Sequence, residues 1–170
     1  SVKSRMFFLV RGLAVLCLLG IGSPALCEDK NHWPRHRGDA ALQGNSGQKI
    51  GSSLKLDWVF DAGDFLKSSV VVFGKVAYVG ADTGIVHALD VETGKEKWRY
   101  ETGLGIEAPP LVHEGMVYVG STDGFLYALD AASGKLKWKY ETDGEIMGAA
   151  NQAKRPKSKD SVIVVGSYDN

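Results

Sequence analysis

The residues best equipped for chemistry are few and scattered. His32 and His36 stand four apart, a spacing that can grip a metal. Pro34 lies between them and no carboxylate or thiol cluster accompanies them, so they read as solvated residues of an irregular segment. Asp90 and Asp130 could serve as paired general acids or bases. Each is followed three and four residues later by Thr93-Gly94 or Ser133-Gly134. That identical setting reads instead as turn capping, with the carboxylate accepting backbone N–H bonds. Trp58, Trp98 and Trp138 could form a stacking platform, yet their strict spacing of 40 residues marks them as core. His87 stands where Tyr127 stands one period later and reads as a packed histidine rather than a ligand. His113, beside a turn, reads as a surface residue.

The elements that position these residues follow from the same spacing. "HALDVETGKEKW" (His87–Trp98) returns as "YALDAASGKLKW" (Tyr127–Trp138), and "LDWVFDAG" falls on "EKWRYETG" and "LKWKYETDG". A 40-residue period indicates propeller blades or solenoids. Each unit holds four short β-prone runs; in the second these are Ala108–His113, Met116–Ser121, Phe125–Asp130 and Leu136–Thr142. Thr122-Asp123-Gly124 and Asp82-Thr83-Gly84 are tight hairpin signals. No run has helical periodicity, which excludes helical solenoids. The second run is continuously apolar ("VAYVG", "MVYVG", "VIVVG"), as expected of a strand buried on both faces. The fourth alternates Trp98 and Tyr100 with Lys97, Arg99 and Glu101, as expected of an outer strand. The fold class is all-β: a β-propeller of four-stranded antiparallel blades.

Ahead of the repeats, Lys3, Arg5 and Arg11 precede an 11-residue apolar run and then "SPALCED". That is the order of a secretory signal peptide, and the run is far shorter than the ~20 residues of a membrane-spanning helix. The expected division is a signal peptide over 1–27 (cleaved after Cys27, or after Ala25), an irregular lead-in over 28–53, and repeats over 54–170. An exported protein, periplasmic or extracellular, is expected, with no transmembrane helix after cleavage. Both cysteines, Cys17 and Cys27, fall in the leader, so no disulfide or thiol chemistry is expected in the remainder. Of 20 basic and 20 acidic residues, three basic and no acidic ones precede Glu28. The remainder is thus slightly acidic, which argues against nucleic acid as a partner.

The unit "VYVGSTDGFLYALDAASGKLKW" resembles the repeat of the pyrroloquinoline-quinone-type propellers over roughly residues 54 to 170, including its Ala-x-Asp-x-x-Thr-Gly-x-x-x-Trp motif. That motif falls on Ala88, Asp90, Thr93, Gly94 and Trp98, and again on Ala128, Asp130, Ser133, Gly134 and Trp138, with Trp58 as the preceding tryptophan. The resemblance implies that each Trp packs on the backbone of the neighbouring motif and staples blade to blade. The lead-in "WPRHRGDAALQGNSG" resembles, more loosely, that of exported bacterial members. Two whole repeats and two partial ones are expected, the Trp58 strand being an orphan. The chain thus reads as an N-terminal piece of a larger ring, whose remaining blades would be its first partner.

Two functions compete. The first is a non-catalytic scaffold for cell-envelope proteins or peptides, similar to the propeller of the outer-membrane β-barrel assembly machinery. The second is a quinoprotein alcohol or sugar dehydrogenase. That resemblance would imply pyrroloquinoline quinone, a calcium held by Glu, Asn and Asp, a catalytic Asp and often adjacent cysteines. None of these is matched residue by residue here, so no catalytic, cofactor or metal residue is assigned. Function is expected where the repeat varies. The insertion Asn151–Asp160 carries Lys154, Arg155, Lys157 and Lys159 and reads either as a solvated loop or as a docking loop for an acidic partner. The loops Gly63–Ser69, Gly103–Pro110 and Asp143–Ala150 should cluster at one mouth of the channel. Phe65, Leu66, Ile106, Ile146 and Met147 would there form either an apolar rim or core packing.

Overall fold

The structure, a computed structural model, describes residues 5–8 (backbone only), 32–38, 52–155 and 160–169. Most of the expected leader, most of the lead-in, and Lys157 and Lys159 lie outside these residues. Two four-stranded antiparallel sheets form the centre. The first comprises β3 (Val71–Phe73), β4 (Val76–Gly80), β5 (Ile85–Asp90) and β6 (Glu96–Glu101), paired in that order. The second comprises β7 (Leu111–His113), β8 (Met116–Gly120), β9 (Phe125–Asp130) and β10 (Leu136–Glu141) in the same order. A partial blade follows, β11 (Asn151–Lys154) paired with β12 (Ser161–Val164). No helix among the described residues is long and apolar enough to cross a membrane.

Strand character follows composition. β4 and β8 are buried at four of five positions each, because apolar side chains point to both faces and a neighbouring sheet covers each face. β6 alternates half-buried Trp98 and Tyr100 with exposed charged residues, whereas the equivalent β10 is exposed throughout. The innermost strands are shorter than the apolar runs suggest. Pro109 and Pro110 lack ladder donors, so pairing in β7 begins at Leu111. β5–β6 and β9–β10 both break register, skipping Lys97 and Lys137. These bulges turn the chain just ahead of Trp98 and Trp138.

The strand β2 (Trp58–Asp61), expected to lack partners before it, pairs along one edge with β1 (Arg5–Phe8), within the expected leader. An open edge of unpaired N–H and C=O groups accounts for such pairing.

The lead-in is also placed. Trp33 exchanges two backbone bonds with Val72 of β3 (2.6 and 2.8 Å). The Pro34 carbonyl accepts the Val112 N–H of β7 at 2.7 Å, and the Arg35 guanidinium stands 3.4 Å from Gln152 Oε1 of β11. Three consecutive residues thus meet the same rung of three consecutive blades.

Candidate functional site

Two regions carry the variation that could matter: the joints between blades and the end of the sheets where the long loops gather.

At the joint between the two complete blades, Trp98 Nε1 donates to the Ala131 carbonyl at 3.0 Å, and Tyr78 Oη donates to the same carbonyl at 3.1 Å. Gly134 has φ +71°, and a Cβ there would lie 2.6 Å from the Trp98 ring. Only glycine allows both the left-handed turn and the face-on approach of the indole. One period earlier Trp58 Nε1 donates to Val91 O at 2.8 Å, over Gly94. Asp90 Oδ1 accepts the Thr93 N–H and hydroxyl at 3.0 Å each, and Asp130 Oδ1 accepts the Ser133 N–H and hydroxyl at 2.9 and 2.8 Å. These bonds from Ser133, with Lys137 beside it, hold the Asp130 carboxyl down at about 2. Asp90 is lowered likewise, chiefly by Thr93. Carboxylates held so firmly ionised are poor proton donors at neutral pH. Ala88 and Ala128 are fully buried in the core beneath these turns, and Trp138 is largely exposed.

The two joints differ in their polar centre. In the second, Tyr127 Oη donates to Asp123 Oδ2 at 2.6 Å, and the same oxygen accepts the Gly103 N–H of the preceding blade at 2.7 Å. Burial, then the bond to Asp123, raises the Tyr127 phenol. Burial likewise pushes Tyr78 up to about 12. In the first joint the same three places hold His87, Thr83 and Gly63. His87 is only 4% exposed; its Nδ1 lies 2.7 Å from Glu96 Oε1, its ring meets Phe60 edge-on, and its buried Nε2 has no hydrogen-bond partner. Gly63 N–H turns to Asp61 instead. His113, expected on the surface, is half-buried, with Nε2 enclosed. His32, expected to be solvated, is half-buried against the Phe73 ring. The alignment that put Thr83 on Asp123 and His87 on Tyr127 could have revealed this paired departure.

The loop end is braced by backbone bonds that recur in each blade. Asp82, Thr122 and Tyr168 donate their N–H to Phe65, Gly105 and Glu145 respectively, at 2.9 to 3.0 Å. Ile106 and Ile146 donate to Ala81 and Ser121, so each loop is held between the turns of two successive blades. Of the five residues proposed for an apolar rim, Ile106 and Ile146 are fully buried. They press against Gly80 and Gly120, where the absence of a side chain admits them. Phe65 is exposed, and its companion is Leu104, which reading the sequence did not single out. Lys154 and Arg155 lie exposed at the opposite end. Among the described residues no three His, Cys, Asp or Glu side chains converge into a metal cage.

Sheet order, the shared Trp-over-Gly joints and antiparallel four-stranded blades together define a β-propeller of the pyrroloquinoline-quinone-type repeat. The chain belongs to the family described as outer membrane protein assembly factor BamB, whose model matches residues 37–170. Among solved structures it is similar to BamB from Moraxella catarrhalis (32% identity, 51% of this chain, 28% of that one, TM-score 0.48). It is also similar to the quinohemoprotein alcohol dehydrogenase of Comamonas testosteroni (28% identity, 71% of this chain, 22% of that one, TM-score 0.62). The quinohemoprotein alcohol dehydrogenase ADHIIG of Pseudomonas putida HK5 shares the fold at 24% identity (81% of this chain, 23% of that one, TM-score 0.62). The chain spans less than a third of each of these structures. No curated protein sequence matches it.

Proposed function

We propose that this chain is part of an exported propeller scaffold that holds cell-envelope proteins by the loops at one end of its blades. The observation that carries this reading is the family match to an outer-membrane assembly factor over residues 37–170. The geometry supports it, because loops clamped between the turns of two blades present their side chains on a fixed frame, which lowers the entropy cost of docking. The motif residues from Ala88 to Trp98 and from Ala128 to Trp138, with Trp58, serve in this reading as staples between blades. In-cell crosslinking of the full-length protein, followed by identification of the attached species, tests it. Recovery of outer-membrane assembly proteins is expected; recovery of no envelope protein would overturn the scaffold reading.

The similarity to the Comamonas enzyme favours a second reading, a quinone-dependent dehydrogenase. The described residues bring no three carboxylate, histidine or cysteine side chains together. Dye-linked oxidation of alcohols or sugars by the full-length protein, with pyrroloquinoline quinone and calcium supplied, would establish this second reading in place of the first.

A further inference from the structure

The two ends of the blades are chemically unlike. Antiparallel order puts residues 61–70, 101–110 and 141–150 at one end, together with the turns 81–84, 121–124 and 167–169. These segments hold ten Asp or Glu and a single base, Lys67. Lys67 is itself bound to Asp82 (3.0 Å) and Glu107 (2.7 Å), so it offers no free charge. At the opposite end the described segments 74–75, 90–97, 114–115, 130–137, 154–155 and 160 hold seven bases and six acids, close to balance. The acidity is therefore a property of one end, not of the molecule.

Three large hydrophobic side chains stand out of that same end: Tyr168 (72% exposed) on the partial blade, and Phe65 (54%) and Leu104 (58%). Phe65 and Leu104 flank the Asp82–Gly84 turn. Asp82 N–H donates to the Phe65 carbonyl at 3.0 Å, and a Cβ on Gly84 would lie 2.6 Å from the Leu104 carbonyl oxygen. Leu104 lies between two complete blades, so its exposure does not arise from an uncovered sheet face, unlike that of Trp138 or Tyr140 on β10. Its backbone is fixed: the carbonyl accepts the Thr102 hydroxyl at 2.7 Å and the Ser121 hydroxyl at 3.1 Å. Exposed apolar side chains on a braced backbone, at an end where carboxylates far outnumber bases, describe an anchor point with electrostatic steering around it.

We infer that this end docks a basic polypeptide segment whose apolar side chains cover Phe65 and Leu104 while its Lys or Arg residues meet the surrounding carboxylates. The inference rests on the scaffold reading and adds the chemistry of the partner. Acidic, uncharged and purely polar segments are disfavoured, the first by repulsion and the others by leaving one half of the surface unmatched.

The test uses the full-length protein and three synthetic peptides of equal length: alternating Lys/Leu, Lys/Ser and Glu/Leu. Binding is followed by calorimetry at several salt concentrations. The Lys/Leu peptide is expected to bind, with affinity falling as salt rises. Leu104→Ser should weaken it about tenfold without changing the salt slope. Glu101→Lys combined with Glu145→Lys should weaken it about tenfold and flatten the slope. All three positions are exposed, so the thermal midpoint should not move, and it serves as the control for folding. Equal binding of Lys/Ser and Lys/Leu overturns the proposal, because charge alone would then suffice. So does absence of binding at low salt. Concentration-dependent self-association abolished by the same substitutions would make a second copy the occupant and also overturn it. Peptide binding without envelope crosslinks would sink the scaffold reading and leave this surface standing; crosslinks that survive the Leu104 and Glu101/Glu145 substitutions would do the reverse.

Discussion

The joint in front of β3–β6 and the joint between β3–β6 and β7–β10 use the same staple and different cement. Trp58 and Trp98 donate to carbonyls 33 residues on, over a glycine that admits the ring. Around them the second joint is a closed network: Tyr78 shares the Ala131 carbonyl, and Asp123 gathers Tyr127 and Gly103. The first joint substitutes a histidine–glutamate pair and leaves one buried ring nitrogen without a partner. Shape is inherited through the repeat, whereas polar complementarity is settled joint by joint. A satisfied buried network specifies one arrangement, and a partly satisfied one specifies it less well.

The comparison can be broken most readily at the tryptophan. Trp98→Ala should cost about 3 kcal/mol, the low end for emptying a tryptophan site, because the indole is only half-buried. Urea unfolding of the full-length protein measures it; a loss under about 1 kcal/mol would mean the indole is not the staple. Next comes the polar centre. Tyr127→Phe removes a hydrogen bond to a carboxylate and should cost about 1.5 kcal/mol. His87→Phe should stay within about 0.5 kcal/mol, since the lost Glu96 contact is offset by removing an unpartnered buried nitrogen. Equal losses at the two positions would erase the distinction. A graft sharpens it: Thr83→Asp, His87→Tyr and Glu96→Leu together rebuild the second network in the first joint and should raise stability by about 1 kcal/mol.

The smallest effect is in acid. Asp130 is held at about 2, below its ordinary value, by Ser133 and then Lys137. A folded value below the unfolded one adds stability that is complete above the unfolded carboxylate value near ~4 and is lost as pH falls through the folded one. Urea midpoints measured between about pH 4 and pH 2 should therefore fall with acidity. Asp130→Asn should flatten that slope by lowering the neutral midpoint toward the acid one, which itself should hardly move.

The blade pattern was legible because it is periodic. Forty-residue spacing located Trp58, Trp98 and Trp138, and continuous apolar runs located β4 and β8. The loop end was legible only in outline. Whether Ile106 or Leu104 turns inward depends on which backbone groups bond to the neighbouring turns, and irregular loops carry no periodicity from which to read that. The Tyr127–Asp123–Gly103 link required knowing that the turn of one blade lies over the strand exit of the blade before it. The path of Trp33 to Arg35 was hidden for another reason: its bonds to β3 and β7 are made by backbone, which any side chain can supply.

That path acts as a gauge. Val72, Val112 and Gln152 are spaced 40 and 40, and the six extra residues of the third blade come after Gln152, in the hairpin beyond it. The lead-in therefore tolerates growth outward from the rung it touches but not growth in the connections that set the distance between rungs. It is also made early and used late. Its last contact joins residues 117 positions apart, so it can close only after two blades and the first strand of the next have been synthesised, and contacts of such sequence separation form slowly. Lengthening the 103–110 loop by a residue would thus be felt first as a failure to finish folding, before any change at the outer surface.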